Sequence, residues 1–232
     1  MSTLILPCAG KSSRFPNLAP KWMLCNDNGK SMIEMVIEPL IDSFKNIYIS
    51  FTYQQEEQYR CSQFLKTIFK DKVRLCCLPK ETRSASETIY NTVKQNQIIG
   101  EIVIKDSDCI IDYDLPSFTE YIVGAKVSPE INRLEAKSFI IKKQADLICD
   151  IIEKKIVSEY ICVGAYSCFA GEFCNSYEKI VNSHVYTKDR EIFVSYVLSY
   201  MILKNKNIFN YVDANKFVDF GTLEDWEKNK NG

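Results

Sequence analysis

The sequence predicts an α/β fold in which a mixed, mainly parallel sheet is flanked by helices. Two observations support this prediction. In the first half of the 232-residue chain, short apolar runs alternate with segments of helical period, and such alternation is typical of parallel strands joined by right-handed crossovers. In the second half, apolar runs follow one another between residues 138 and 166 with short connections. This second pattern indicates a β-rich, partly antiparallel section.

The predicted strands are apolar runs rich in β-branched residues. They are the run that begins at Leu4, then Ile47–Thr52, Val73–Leu78, Glu101–Lys105, Ser138–Lys142, Leu147–Ile152, Tyr160–Tyr166, a run near Asn207–Val212, and Lys216–Phe220. Helices are predicted between them from apolar residues at helical spacing. They start at Ser31, span Gln54–Lys70, run from Ser84 to about Gln97, lie near Asp189–Lys204, and close the chain.

Two of these helix starts carry an additional signal. Ser31 is followed by Glu34 and Ser84 by Glu87, which is the spacing of a capping box. In the first of these helices Pro39 is expected to produce a kink, because its ring removes a backbone hydrogen bond.

Length and composition favour one domain that covers residues 1–232. Apolar residues make up 46% of the chain, enough for a large core. The 29 Lys and Arg residues nearly balance the 30 Asp and Glu residues, so no overall field attracts nucleic acid or an anionic membrane. No apolar run approaches the roughly 18 residues of a membrane span. We therefore expect neither nucleic acid nor a membrane as a partner.

The ten cysteines lie mostly within apolar runs, and no signal peptide is recognised ahead of them. Reduced thiols in a cytoplasmic protein are the expected state. The chain has no C-x-x-C pair, and His184 is its single histidine. A structural zinc site is therefore not expected, and we interpret His184 as a structural residue.

The stretch from Leu4 to Lys21 leads an apolar strand into a loop with features of a phosphate-binding site. Small residues allow backbone N–H groups to approach an anion, and cations add charge. The small residues are Ala9, Gly10, Ser12 and Ser13, and the cations are Lys11, Arg14 and Lys21. A surface loop with scattered cations would explain any one of these features, but not their coincidence within eighteen positions.

Asp106-Ser-Asp108 directly follows the predicted strand Glu101–Lys105. In open α/β sheets, ligands bind at the carboxyl ends of strands. Two carboxylates there suit Mg²⁺ that is held mainly by substrate phosphates. An Asp-rich turn that caps a helix is the alternative, and the loop upstream favours the cation site.

The sequence resembles a known family. Cys8-Ala-Gly-Lys-Ser-Ser-Arg14, followed by Pro20-Lys21, is similar to the A-A-G-x-G-[ST]-R … P-K signature of nucleotidyltransferases that join a nucleoside triphosphate to a sugar phosphate or to phosphocholine. Ser12 stands where that family has a second glycine. The resemblance implies a glycosyltransferase-A-like, Rossmann-like fold, and it implies that residues 8–13 hold the nucleotide.

The resemblance also implies a metal site and a set of catalytic cations. Phe217-Val-Asp-Phe-Gly-Thr-Leu-Glu-Asp-Trp226 is similar to the D-x-G-T-P-E-D-L segment of the family, so Asp219 would join Asp108, and Asp106 beside it, in binding Mg²⁺. Lys11 and Arg14 would hold the β and γ phosphates. Lys21 would stabilise charge at the α-phosphate or the incoming phosphate. A turn and a helix start would explain the segment around Gly221 locally.

Two further blocks concern the substrates. Glu153-Lys-Lys155 with Gly164-Ala-Tyr166 resembles the E-K-P … G-x-Y-x-F block of the family, which implies that Glu153, Lys154 and Tyr166 contact the acceptor. A solvated strand end is the alternative for Glu153 and Lys154. Arg83, Ser84 and Ser86 lie where the family reads the base, but Ser84 is equally explained as a helix cap.

The implied reaction is transfer of a nucleoside monophosphate, with CMP favoured by the compact chain, from a nucleoside triphosphate to a small phosphorylated acceptor. The acceptor would be a sugar phosphate, phosphocholine or a phosphorylated amino acid derivative, as used for capsule or other cell-surface precursors. A metal-dependent glycosyltransferase and a non-catalytic nucleotide-binding regulator are the alternatives. A kinase-like P-loop protein is disfavoured because G-x-x-x-x-G-K-[ST] is absent.

Overall fold

The computed structural model describes residues 2–12, 14–16, 18–183 and 191–231. These residues form a nine-stranded mixed sheet and a two-stranded ribbon, with helices packed on them. The strands are β1 (Thr3–Pro7), β2 (Asn46–Thr52), β3 (Arg74–Leu78), β4 (Glu101–Lys105), β5 (Cys109–Asp112), β6 (Tyr121–Lys126), β7 (Ser138–Lys142), β8 (Leu147–Glu153), β9 (Tyr160–Phe169), β10 (Phe209–Asp213) and β11 (Lys216–Asp219).

The helices connect or follow these strands. They are α1 (Met32–Ile37), α2 (Tyr53–Tyr59), α3 (Cys61–Phe69), α4 (Ala85–Gln95), α5 (Ala170–Val181), α6 (Val194–Tyr200) and α7 (Leu223–Asn229). Short 3₁₀ turns occur at Lys21–Met23, Leu134–Ala136 and Gln144–Asp146, and a π turn at Met201–Asn205 extends α6. None of the described helices is long and apolar enough to cross a membrane.

The order of strands in the large sheet is β3-β2-β1-β4-β9-β6-β10-β8-β7. Strands β1 to β4 are mutually parallel where they pair. Strand β9 is antiparallel to both β4 and β6, and β10 is parallel to β6 but antiparallel to β8. The sheet is mixed, as predicted. It is mainly parallel only in its first half, because the connections between β6 and β9 contain no α-helix and are too short for parallel crossovers. The small ribbon pairs β11 with β5.

Strand β1 lies in the interior of the sheet and is buried on both faces. Leu4 and Leu6 belong to the core on one face, where α1 and α3 pack. Ile5 belongs to the core on the other face, where α4, α5 and α6 pack. All three side chains have no exposed surface, which explains why β1 reads as a continuous apolar run. The loop that follows β1 therefore begins at the carboxyl end of an interior strand.

Two predicted helices differ from their apolar pattern. The first ends early, and the second is divided into two. Helix α1 has the predicted capping box between Ser31 and Glu34, but it ends at Ile37, so Pro39 terminates the helix instead of kinking it. The predicted helix Gln54–Lys70 is divided into α2 and α3 at Arg60, whose backbone is left-handed with φ 52°.

Three elements were not predicted, namely β5, β6 and α5. The predicted helix near Asp189–Lys204 corresponds to α6 and its π turn, while Asp189 and His184 lie outside the described residues. Each of the ten cysteines is free, and most of them are buried, in agreement with the predicted reduced state.

Candidate active site

A cavity of about 370 Å³ opens at the carboxyl ends of β1 and β4. Most of the residues predicted to carry chemistry line it. They are Ser12, Arg14, Lys21, Asp106, Asp108, Glu153, Lys154, Tyr166 and Asp219. The predicted residues that do not line it are Cys8, Ala9, Gly10, Lys11, Arg83, Ser84 and Ser86, and Ser13 lies outside the described residues.

The ribbon of β5 and β11 brings two distant aspartates to the same edge of the cavity. Its register places Asp219 opposite Cys109, the residue after Asp108. The backbone N–H of Phe220 donates to the carbonyl of Asp108 at 2.8 Å. The sheet pairing therefore holds the D-x-D segment and the D-x-G-T segment together, although they are more than a hundred residues apart.

An ion pair dominates the electrostatics of Asp108. The ammonium of Lys21 lies 2.5 Å from Asp108 Oδ2. Burial by itself would raise the pKa of Asp108, but Lys21, aided by Lys105 and Arg14, lowers that pKa to about 2. Burial opposes the charge of Lys21 too, yet the Asp108 carboxylate raises the pKa of this lysine above its ordinary value. Both groups are therefore charged at neutral pH.

Asp106 has the opposite character. Burial and the neighbouring Asp108 carboxylate raise its pKa to about 7. Its backbone N–H donates to the carbonyl of Gly164 at 2.8 Å. A Cβ atom at Gly164, which has φ +94°, would lie 2.6 Å from Asp106 Oδ2. Glycine is thus required where β9 passes the D-x-D segment.

Cations surround Asp219. Its Oδ1 accepts a hydrogen bond from the backbone N–H of Gly221 at 2.9 Å, and its Oδ2 contacts the ammonium of Lys137. Arg133 lies 3.7 Å from the same oxygen and also pairs with Asp225. On the other side, Arg14 Nη1 donates to the carbonyl of Gly221 at 3.4 Å.

The loop after β1 is shaped by contacts with its own residues and with α2. Ser12 has a left-handed backbone with φ 49°, the conformation for which glycine is normally preferred, and its Oγ accepts from the backbone N–H of Lys21 at 3.3 Å. Gln55 Nε2 donates to the carbonyls of Cys8 and Gly10 at 3.3 and 3.5 Å. Ser12 therefore adopts a backbone conformation that favours glycine, at the position where the similar signature has its second glycine.

Two residues of the predicted nucleotide loop, Cys8 and Lys11, make other contacts in this structure. The N–H of Cys8 donates to the carbonyl of Ser50 at 2.8 Å, so it is used by the sheet. The side chain of Ala9 is fully buried and packs with Cys76 and Leu78. Lys11 points away from the cavity, with its ammonium 3.6 Å from a carboxylate oxygen of Glu81 and 71% of its side chain exposed.

The predicted base-reading side chains are used in other ways. Ser84 Oγ accepts from the backbone N–H of Glu87 at 3.2 Å, so the helix-cap interpretation is correct. Arg83 is ion-paired with Glu87 at 3.0 Å. Ser86 has no exposed surface, and its Oγ lacks a hydrogen-bond partner among the described residues. Ala85, between the two serines, is the residue of this segment that lines the cavity.

The predicted acceptor residues come from the end of β8, from the residue after it and from β9. Glu153 Oε2 accepts from Ser195 Oγ at 2.5 Å and from Ser138 Oγ. Lys154 has a left-handed backbone with φ 56°, and its ammonium lies 3.9 Å from the centroid of the Phe193 ring. Tyr166 is 6% exposed, and burial raises its pKa well above the ordinary value.

Sequence reasoning did not identify several other residues that line the cavity. They are Arg133, Lys137, Ser138, Glu191, Phe193, Ser195 and Phe217. Burial raises the pKa of Glu191, an effect that Lys154 and Arg14 oppose. The stretch around Arg133 and Lys137 has neither apolar periodicity nor a motif, so only its density of cations could have drawn attention to it.

The donor set at the cavity fits one divalent cation shared with phosphate. Asp108, directly before β5, and Asp219, the last residue of β11, supply hard oxygen ligands, and Mg²⁺ requires only one or two carboxylates when phosphates and water complete its octahedron. Within the described part of the chain, no group of three His, Cys, Asp or Glu residues forms a site made of protein ligands alone. Phosphate oxygens of a ligand would complete the coordination of such a cation.

No protein-family model and no curated protein sequence matches the chain. Many solved structures have the same fold, and three of them serve as examples. A nucleoside-diphosphate-sugar pyrophosphorylase from Vibrio cholerae RC9 is 16% identical, with a TM-score of 0.83 over 99% of this chain and 100% of that one. An inositol-1-phosphate CTP transferase from T. maritima is 11% identical, with a TM-score of 0.75 over 97% of this chain and 91% of that one.

The third structure is a UDP-glucose pyrophosphorylase complexed with UDP-glucose, which is 17% identical, with a TM-score of 0.72 over 100% of this chain and 97% of that one. At this level of identity the likeness is one of fold, and it extends over nearly the whole length of each chain. The protein thus has the mixed α/β fold of these two pyrophosphorylases and this CTP transferase.

Proposed function

We propose that residues 1–232 act as one nucleotidyltransferase domain, which transfers a nucleoside monophosphate from a nucleoside triphosphate to a small phosphorylated acceptor. One observation carries the proposal. Arg14 and Lys21 of the loop after β1 line the same cavity as Asp108 and Asp219. Cations for a polyphosphate and carboxylates for its metal are thus adjacent. The three neighbours in fold, two pyrophosphorylases and a CTP transferase, support it.

The reaction is a direct displacement at phosphorus. A phosphate oxygen of the acceptor attacks the α-phosphorus and forms a new P–O bond. The bond between the α-phosphorus and the oxygen that bridges to the β-phosphorus breaks, and its electron pair leaves with pyrophosphate. Because the acceptor phosphate is anionic near neutral pH, no general base is required. Catalysis then rests on positioning and on stabilisation of charge.

Particular residues of the cavity are assigned to positioning the substrates and to stabilising charge. Arg14 binds the β and γ phosphates. Lys21 leaves its ion pair with Asp108 and binds the α-phosphate, where negative charge develops. Asp108 and Asp219 would hold Mg²⁺, which supplies neutralisation of phosphate charge when bound. Glu153, Lys154 and Tyr166 orient the acceptor. Lys11, exposed and paired with Glu81, has no part in this assignment.

For the donor we propose CTP. The side chains of Ser84 and Ser86 are used for capping or are buried, so base recognition falls to the backbone of the segment that leads into α4. Carbonyl oxygens there accept from the amino group of cytosine, whereas UTP presents an oxygen at that position. An unpaired polar group of this kind costs about 1–3 kcal/mol, so kcat/KM for CTP should exceed that for UTP by about tenfold or more.

A pyrophosphate-release screen tests the proposal. Four nucleoside triphosphates are combined with sugar phosphates, phosphocholine and phosphorylated amino acid derivatives in the presence of Mg²⁺. We expect release with at least one pair, loss of release in excess chelator, and loss in the Asp108→Asn variant. The matched control is Asp112→Asn, a change at an exposed carboxylate of β5 that does not line the cavity.

Two results would contradict the proposal. The first is full turnover by Asp108→Asn, which would remove the metal assignment. The second is release of a nucleoside diphosphate from a nucleotide sugar without any pyrophosphate from triphosphates, which would identify a glycosyltransferase instead. A preference for UTP, dTTP or GTP would overturn the choice of base alone.

A further inference from the structure

Lys137 lies between the carboxylates of the cavity and the residues predicted to contact the acceptor. It follows the 3₁₀ turn Leu134–Ala136 and precedes β7. Its side chain is 15% exposed, and its ammonium contacts Asp219 Oδ2 and lies 5.5 Å from the centroid of the Phe217 ring. The charge is therefore mostly withdrawn from bulk water and faces the cavity.

The backbone of Lys137 is tied to the acceptor side. Its carbonyl accepts a hydrogen bond from the backbone N–H of Lys154 at 3.0 Å. The next residue, Ser138, pairs with Glu153 in the ladder of β7 and β8. The side chain of Lys137 thus reaches the carboxylate side, while its main chain is fixed to the acceptor side.

Charge balance distinguishes Lys137 from its neighbour Arg133. The guanidinium of Arg133 pairs with Asp225, a carboxylate whose side chain is only 7% exposed, as well as with Asp219. Among the described residues, Asp219 is the carboxylate that the ammonium of Lys137 contacts, and Asp106 is a second carboxylate that interacts with it electrostatically. If Asp219 takes a cation, the ammonium of Lys137 loses its contacting counter-ion. The phosphate of a ligand would then restore an anion beside it, since an unpaired charge that is mostly withdrawn from water is costly.

We propose that Lys137 binds the phosphate of the acceptor, and this inference rests on the proposed nucleotidyl transfer. The acceptor phosphate must lie between the reacting α-phosphorus, near Asp108 and Asp219, and the body of the acceptor, near Glu153 and Lys154. Lys137 is in contact with both groups, since its ammonium contacts Asp219 and its backbone carbonyl accepts from the N–H of Lys154. The triphosphate is held from the other direction, by Arg14 and Lys21.

Binding measurements on variants test this assignment without requiring turnover. The variants are Lys137→Met, Lys137→Arg and the control Lys143→Met, which removes an exposed lysine from the same segment outside the cavity. With α,β-methylene CTP and Mg²⁺ at saturating concentration, inorganic phosphate, glucose 1-phosphate and phosphocholine are titrated calorimetrically. Inorganic phosphate reports on the phosphate group alone, and the two esters report on whole acceptors.

We expect Lys137→Met to weaken binding of inorganic phosphate and of the competent ester by about tenfold or more, as for loss of a hydrogen bond to a charged group. Affinity for α,β-methylene CTP should change by less than about threefold, and Lys137→Arg should retain most phosphate binding because it keeps the charge. In turnover, Lys137→Met should raise KM for the acceptor more than KM for the triphosphate. Lys143→Met should match the wild type.

Unchanged phosphate binding in Lys137→Met, or a loss confined to the nucleotide analogue, would overturn the assignment. Equal losses in the Met and Arg variants would also overturn it, because packing rather than charge would then be responsible. Failure of the proposed function is a separate result. In that case no triphosphate gives pyrophosphate with the wild-type protein, while the titration with inorganic phosphate still decides whether Lys137 is an anion-binding residue.

Discussion

Lys21 and Lys11 belong to the same loop but have different surroundings, which makes them a matched pair. Lys21 lies 2.5 Å from Asp108 inside the cavity, and Lys11 is exposed beside Glu81. We expect Lys21→Ala to lower kcat by about 100-fold or more, because a cation aimed at developing charge acts mainly in the transition state. Lys11→Ala should change kcat by less than about threefold, as expected for a surface charge.

Steady-state kinetics of pyrophosphate release would measure both variants. A change in Lys21→Ala that is confined to KM for the triphosphate would place this residue in ground-state binding. A large loss of kcat in Lys11→Ala would show that this side chain turns into the cavity when the nucleotide binds.

The surroundings of Asp106 lead to a second prediction, on how the free energy of unfolding depends on pH. Its pKa is raised from 3.8 to about 7 by burial and by Asp108. Between these two values the folded protein binds more protons than the unfolded chain, so the contribution of Asp106 to the free energy of unfolding falls as pH rises. In the presence of chelator, the stability of Asp106→Asn relative to the wild type should increase from pH 5 to pH 8.5, by about 1–3 kcal/mol after allowance for solvent screening.

Urea unfolding at the two pH values would measure this difference. The exposed Asp112→Asn variant should remain within about 0.5 kcal/mol of the wild type at both. A stability difference for Asp106→Asn that is the same at pH 5 and pH 8.5 would show that Asp106 is ionised throughout, contrary to its surroundings.

At the scale of elements, β9 packs closely against the D-x-D segment because Gly164 has no side chain. An alanine there would place its Cβ 2.6 Å from Asp106 Oδ2 at φ +94°. We expect Gly164→Ala to lower the free energy of unfolding by about 1–3 kcal/mol and to reduce turnover by displacing Asp106. Gly171→Ala, in α5, is the control, since a Cβ there meets nothing within 4 Å and should be neutral or stabilising by up to about 1 kcal/mol.

Denaturant titration and pyrophosphate release would be measured on the same preparations. Wild-type stability in Gly164→Ala would mean that β9 can move away from Asp106 at little cost. Lower stability with unchanged turnover would separate the strand contact from the geometry of the carboxylates.

The elements that could be predicted from sequence are those with local signals. The predicted strand Ser138–Lys142 has the bounds of β7, and the capping box at Ser31 fixed the start of α1. Helix α5 lacked such a signal, because it follows β9 without a turn and its N-cap, Phe169, provides no side-chain hydrogen bond. Strand β5 has only four residues, and its partner β11 lies about a hundred residues later in the chain.

The same distinction applies to the site. Arg14, Lys21, Asp108 and Asp219 stand in motifs, so their types and order indicated their place in one cavity. Lys137 depends on a contact with a residue 82 positions later, for which no local pattern exists. Ser84 could not be assigned from sequence because one hydroxyl suits both a base and a helix cap, and in the structure the cap takes it.

At the scale of the whole molecule, the site is built from two regions of the large sheet, one parallel and one largely antiparallel. Strands β1 to β4 are parallel and present the loop after β1 and the D-x-D segment at one edge. Strands β6 to β10 contribute the residues assigned to the acceptor and pair largely in antiparallel fashion. The nucleotide side and the acceptor side thus come from different halves of the chain, which are joined along the pairing of β4 with β9.

That pairing has a consequence for the protein while it is being synthesised. Strand β4 acquires its second neighbour only when β9 emerges, about 60 residues later, which takes about 3 to 12 seconds at the usual rates of translation. During this interval the apolar edge of β4 is uncovered, and β10, which inserts between β6 and β8, arrives later still. A nascent chain with two incomplete sheet edges is a substrate for chaperones and for misassembly. We therefore expect the large sheet to be completed only after β10 has been synthesised, although the nucleotide half is made first.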